Sequence, residues 1–354
     1  MYINYLLEEV ISRKGSDLHL IVDNIPTMRL NGKLIKLGLS SITKEEMMQY
    51  VKMLLRDNQQ LIQKLSEEGE VDFAYMLKTK ARFRVNIFKQ KGCYSIALRF
   101  IQYEIPSMKA LGLPYETLET LLENTGLILV TGPTGSGKST TLASMVDYIN
   151  GAKEKHILTL EEPVEFLHTS KKSILNQREI GVDCLNFASG VRAALREDPD
   201  VILLGEIRDL ETMRIALLAA QTGHLVLSTL HTIGAQQTVE RVIGMFPPHE
   251  QKQICVQFAS VLKGIISQQL LESSDTLGRE VAVELMINND AIKNLIREGK
   301  VYQIYSVLQT SLGQGMLTME ESLIRLCKSN KITLDTARNY SLKNDILNRQ
   351  MNLI

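Results

Sequence analysis

The stretch GLILVTGPTGSGKST, from Gly126 to Thr140, constrains this chain more than any other. A short apolar run bounded by turn residues reads as a buried strand. Gly132, Pro133, Thr134, Gly135, Ser136, Gly137, Lys138, Ser139 and Thr140 follow at once and fit the pattern G-x-x-x-x-G-K-[ST]. Glycines let a backbone wrap closely around phosphate oxygens, and the N–H groups that open the next helix point at them. In this arrangement Lys138 would reach the β and γ phosphates of a nucleotide, and Ser139 would ligate Mg²⁺. Strand, loop and helix fall in the order that phosphate binding needs, so a mere glycine-rich turn is the weaker reading.

A second apolar run, Val201 to Leu204, lies within LREDPDVILLGEIRD between Pro199 and Gly205. Strands of this kind sit in parallel sheets covered on both faces. Ligands bind beyond the carboxyl ends of such strands. The run is expected to neighbour the Gly126–Gly132 strand, with Glu206 facing the Mg²⁺ and its waters; a solvated carboxylate at a strand end is the plainer alternative. LTLEEPVEF adds Glu161, Glu162 and Glu165. Such a loop is either an acidic surface or the source of the group that orients an attacking water. TGHLVLSTLHT places His224 and His231 at the two ends of an apolar strand, as ordinary polar residues or as sensors of phosphate and water.

The remaining chain suggests α/β architecture with a small α+β domain in front. Gly15 to Val22 and Thr27 to Leu37 read as strands, with Asn31-Gly32 as a hairpin turn. Thr43 with Glu46 forms a capping box for a helix, and Thr318 with Glu321 forms another for a helix through Leu326. In ARFRVNIFKQKGCYSIALRF, Phe83, Val85 and Ile87 alternate with Arg82, Arg84 and Asn86, and Arg99 follows in the next strand. Three arginines thus share one polar face, either solvated or available as an added cation for phosphate. Boundaries are expected at 1–100, a linker at 101–114, an α/β core at 115–287 and helices at 288–354.

With Lys plus Arg and Asp plus Glu both at 40, nothing pulls the chain towards nucleic acid or an anionic membrane. No run approaches the roughly 18 apolar residues of a membrane span. The N-terminus lacks the pattern of a signal peptide. Cys93, Cys184, Cys255 and Cys327 form no CxxC pair, so they read as core thiols in a reducing compartment.

The loop from Gly132, TLEEPVEF, LREDPDVILLGEIRD and TGHLVLSTLHT, in that order, resemble the Walker A, Asp box, Walker B and His box of the secretion ATPase superfamily. AIKNLIRE, from Ala291 to Glu298, resembles the AIRNLIRE element of its pilus retraction ATPases, the PilT family. The resemblance implies a PAS-like N-terminal domain, a RecA-like P-loop ATPase domain with a helical C-terminal region, and a homohexameric ring. It implies ATP and Mg²⁺ as cofactors, Glu165 as the carboxylate that polarises water, and Glu206 as the Walker B glutamate. His224 and His231 become His-box residues, and Arg82, Arg84 and Arg99 lie where the family places arginine contacts to nucleotide. The implied site of action is cytoplasmic, at the inner-membrane face, through the pilus platform protein, with no nucleic acid and no membrane span. Two departures stand out: Glu162 occupies a position where Asp is usual, and Lys293 replaces Arg in AIRNLIRE. The competing readings are a pilus or pseudopilus assembly ATPase, a nucleic-acid translocase on a RecA-like core, and a non-catalytic nucleotide-binding scaffold.

Overall fold

The computed structural model describes every residue except 1, 31, 78–80, 102–104, 276–277 and 352–354. The chain divides into two units, residues 1–104 with 163–167, and residues 105–162 with 168–354.

The first unit contains α1 (Tyr2–Ser12), β1 (Asp17–Ile21), β2 (Thr27–Leu30), β3 (Lys33–Lys36), α2 (Lys44–Leu55), α3 (Gln59–Glu68), β4 (Glu70–Leu77), β5 (Ala81–Gln90) and β6 (Cys93–Ile101). The strands form one antiparallel sheet in the order β3-β2-β1-β6-β5-β4. Alternation decides its two faces. Phe83, Val85, Ile87, Ile96 and Leu98 are buried with Ile3, Leu6 and Leu7 of α1 and Met47 and Val51 of α2. The other face carries the arginines, and Arg84 stands directly opposite Arg99. Thr43 and Glu46 form both bonds of the expected capping box at the start of α2. Lys91 and Gly92, at φ 47° and 73°, make the two-residue turn between β5 and β6, because left-handed residues match the twist of the paired strands. In the expected Asn31-Gly32 turn, Asn31 lies outside the described residues, as do 102–104 of the expected linker.

The second unit contains α4 (Tyr115–Leu121), β7 (Gly126–Thr131), α5 (Lys138–Ala152), β8 (His156–Glu161), β9 (Ile174–Glu179), α6 (Phe187–Ala194) and β10 (Val201–Leu204). It continues with α7 (Leu210–Gln221), β11 (Leu225–Leu230), α8 (Ala235–Gly244), α9 (Pro248–Val261), β12 (Leu262–Glu272) and β13 (Arg279–Ile287). Helices α10 (Asp290–Arg297), α11 (Ile304–Thr310), α12 (Met319–Lys328), α13 (Leu334–Tyr340) and α14 (Asn344–Met351) complete it. The sheet runs β13-β12-β7-β11-β10-β8-β9, parallel throughout except for β13. Every residue of β7, β10 and β11 is buried, as expected of strands covered on both faces. Leu127, Leu129, Ile202 and Leu204 face one hydrophobic layer; Ile128, Val130, Val201 and Leu203 face the other. One expectation needs correction: β11 lies between β7 and β10, so the Val201–Leu204 strand is one place removed from the strand that feeds the glycine loop.

The C-terminal helices also amend the sequence reading. On α10, Ile292 and Ile296 enter the core at i, i+4 spacing and Leu295 is half-buried, while Ala291 is exposed. Thr318 caps α12 by accepting from the Glu321 N–H at 3.2 Å, yet the Glu321 carboxylate is turned to Arg325, 3.1 Å away, instead of closing a box; α12 runs on to Lys328.

Beneath this region lies a buried pair of carboxylates. Glu284 of β13 accepts the Ala235 N–H at 2.7 Å. Glu320 of α12 accepts from the Tyr305 hydroxyl at 2.8 Å and from the backbone N–H groups of Leu342 and Lys343 at 3.1 and 2.9 Å. Burial, and secondarily the charge of Glu320, push the Glu284 carboxyl up to about 7 against the opposing Ala235 bond. The folded chain therefore holds this proton up to about pH 7, whereas the unfolded chain releases it near 4.5. Stability should be fully present below about 4.5 and fall as pH rises through about 7. Glu284→Gln keeps an oxygen for Ala235 and removes the titrating carboxyl. It should flatten the pH profile and stabilise the chain at pH 8 by up to about 3 kcal/mol. Melting curves at pH 5 to 8 check this; parallel losses in both proteins would show that another group is responsible.

Candidate active site

The carboxyl edge of the second unit's sheet gathers the chemistry. Gly132 follows β7 at φ 143°, and a Cβ there would lie 2.2 Å from the backbone oxygen of Gln268. Only glycine fits so close an approach. Gly137, at φ 87°, turns the chain into α5. The loop between them encloses Lys138, which is buried and donates to the carbonyls of Gly132 and Pro133, both at 2.9 Å. Ser139 follows in the first turn of the helix, where backbone N–H groups are free of intrahelical partners. Helix dipole, free N–H groups and ammonium together make a site for polyphosphate.

Glu206 follows β10 and is held in place by its neighbours. Gly205 donates its N–H to Leu160 O at 2.8 Å and accepts from the Thr229 hydroxyl at 2.7 Å. Ile207 donates to Thr229 O at 3.1 Å. The Glu206 carboxylate then meets two partners, His231 Nε2 at 3.1 Å and the guanidinium of Arg208. Arg208 also donates to Glu162 at 3.1 Å, so the carboxylate that stands where Asp is usual is engaged by this cation. Burial, then the positive charges of Lys138 and Arg208, hold the His231 imidazole below its ordinary range. A neutral ring donating from Nε2 to Glu206 fits both facts.

The two histidines therefore part company. His231 stands at the carboxyl end of β11 beside Glu206. His224 stands at its amino end, roughly 20 Å away along the strand. There its Nδ1 lies 2.9 Å from Ala219 O, so that nitrogen carries the proton, and the structure does not bring it to the glycine loop. Glu161 accepts from the Thr159 hydroxyl at 2.8 Å. Glu165 belongs to residues 163–167 and hence to the first unit, as do Arg82, Arg84 and Arg99. Arg84 pairs with Asp72 at 3.7 Å and Arg99 with Asp17 at 2.9 Å. Burial raises the Asp17 carboxyl, but hydrogen bonds from Arg99 and Ser16 outweigh it and leave it below the usual range.

Sequence reading passed over Gln268. It is fully buried on β12, donates to Ser136 O at 2.6 Å and accepts from the Thr141 hydroxyl at 2.9 Å. Two glutamines inside the apolar run IISQQLL were its available signal, since buried amides must find partners.

Comparison with known proteins agrees with this geometry. The family model described as type II/IV secretion system protein matches residues 1–330. The chain is 47% identical over 320 residues to the uncharacterized protein YggR of Escherichia coli K12, covering 89% of this chain and 96% of that one. It is 45% identical over 313 residues to a twitching motility protein of Neisseria gonorrhoeae, covering 88% and 83% of the two chains. It is 43% identical over 338 residues to the type IV pilus retraction ATPase PilT of Pseudomonas aeruginosa PAO1, covering 96% and 97%. Among solved structures, the pilus retraction motor PilT with bound ADP superposes at TM-score 0.91 and 45% identity, covering 98% of this chain and 99% of that one. The Legionella pneumophila ATPase DotB superposes at 0.81 and 27% identity, covering 96% and 94%. The resemblance expected from the four ordered motifs is thus borne out, and the chain belongs to the type II/IV secretion system protein family.

Proposed function

We propose that this protein is a motor ATPase that withdraws type IV pili. The observation that carries this reading is full-length likeness: both chains are covered almost end to end in the match to the retraction ATPase PilT. By contrast, the assembly ATPase PilB of Myxococcus xanthus matches over 120 residues, 34% of this chain and 20% of that one.

ATP would lie with its phosphates in the loop from Gly132 to Thr140. Lys138 would counter the charge of the β and γ phosphates. The Ser139 hydroxyl and the Glu206 carboxylate are hard oxygen donors, which suit Mg²⁺. Among the described residues no group of three or more His, Cys, Asp or Glu forms a metal cage. Glu165 would orient the attacking water, His231 would report the nucleotide state through Glu206, and Arg82, Arg84 and Arg99 would supply the added cation in the assembled ring. His224, at the amino end of β11, would link the nucleotide state to the subunit core. A homohexamer working at the cytoplasmic face of the inner membrane, through the platform protein, completes the reading. No described helix is long and apolar enough to cross a membrane.

Steady-state phosphate release by the purified chain tests the enzymatic part. Release from ATP should require Mg²⁺ and be indifferent to single-stranded DNA. Strong stimulation by DNA would favour a translocase, and absence of release would favour a nucleotide-binding scaffold.

A further inference from the structure

We propose that Gln268 is a positioning residue for the phosphate loop, holding it in shape by a two-armed amide bridge between the loop and the helix that follows. The proposal rests on the nucleotide-binding reading above and deepens it. Three observations converge. The Gln268 amide nitrogen donates to Ser136 O at 2.6 Å, and its amide oxygen accepts from the Thr141 hydroxyl at 2.9 Å. The Gln268 backbone oxygen is the atom that excludes any side chain at Gly132. The Gln268 amide nitrogen is also the nearest neighbour of the space a Cβ would fill at Gly137, 3.3 Å away. One residue on β12 thus abuts the start, the middle and the end of the loop.

The orientation of the amide follows from its partners. A carbonyl only accepts, so the nitrogen must face Ser136, and the oxygen is left for the Thr141 hydroxyl. The bridge ties residue 136, whose carbonyl must turn away from an incoming phosphate, to the first turns of α5. Strand β12 is parallel to β7, with Ser267 paired to Thr131 at the mouth of the loop. The preceding residue acts on the opposite face: Ser267 accepts the Gly234 N–H at 2.8 Å, within the segment that leads from His231 into α8. Adjacent residues of one rigid strand therefore hold the loop on one side and the segment after His231 on the other. A preformed loop binds phosphate without an ordering cost, so loss of the bridge should appear in nucleotide affinity.

Two substitutions separate the bridge from simple packing. Gln268→Leu fills the space but removes both arms. Gln268→Glu keeps the shape and the acceptor for Thr141, and sets a carboxylate oxygen against the Ser136 carbonyl. Equilibrium titration of the full chain with a fluorescent ADP should show dissociation constants about 10- to 100-fold higher for both, the usual worth of an unpaired buried polar group. Thr141→Val removes one arm from the other end and should cost about 3- to 10-fold, while Thr141→Ser keeps the hydroxyl and should lose less. KM for ATP should move with these constants more than kcat does. The proposal is overturned if Gln268→Glu and Thr141→Val bind ADP as the unaltered chain does, even if they melt at lower temperature. An unaltered chain that binds ADP but releases no phosphate from ATP would refute the ATPase reading and leave the Gln268 comparison decisive. One that binds no ADP would refute both.

Discussion

Lys138→Ala should reduce Mg²⁺-dependent ATP turnover by at least roughly 10³-fold, the upper range seen when a preorganised charge-stabilising group is removed. The ammonium is buried and aligned across the loop by the carbonyls of Gly132 and Pro133. Its charge is therefore placed before the nucleotide arrives, and the next lysine in sequence, Lys153, lies at the far end of α5. Alanine removes the cation that would counter the phosphate charge, so ATP affinity should fall as well. The fold should survive, since α5 needs no side chain from position 138 to cover its apolar face. Phosphate release and a melting curve on the same preparation check both statements. Turnover within tenfold of the unaltered chain would rule out this loop as the site of hydrolysis.

Glu165→Gln should differ in kind. The amide keeps the size of the carboxylate and leaves the phosphate loop untouched, so ATP should still bind. A carboxylate that orients or deprotonates water is worth roughly 10²–10⁴ in rate, and the amide accepts a proton poorly, so turnover should fall by that amount. The expected signature is a lowered kcat with little change in nucleotide affinity. The neighbouring carboxylates are less suited to the role. Glu161 is engaged by the Thr159 hydroxyl and Glu162 by Arg208. Normal kcat in this variant would move the role to one of those two.

Much of this was legible in the sequence, and the reasons are local. Backbone patterns of period two exposed the polar arginine face, and the order of strand, glycine loop and helix was readable from Gly126 to Ala152. Capping at Thr43 was readable because both partners lie within one turn. Helix α1 carried a signal that went unread: Ile3, Leu6, Leu7 and Val10 recur at helical spacing and are all buried. So did β4, where Val71, Phe73, Tyr75 and Leu77 alternate. What sequence could not supply was partnership across distance. The order of β7, β11 and β10 depends on how three similar apolar strands share a sheet, and nothing within any one of them encodes its neighbour. Glu321 matched a capping pattern but chose Arg325, because both interactions lie within reach of one carboxylate. Gln268 and Glu284 were invisible because their roles come from residues more than 40 positions away.

The central claim is that ATP hydrolysis by this chain pulls pili back. Its most direct test is to label surface pili in the living host and follow individual filaments after deletion of the gene. The account predicts pili that extend normally but fail to withdraw, with heavily piliated, non-twitching cells and recovery by the unaltered gene but not by the Lys138→Ala form. Bald cells would contradict it in favour of assembly, and unchanged withdrawal would contradict it altogether.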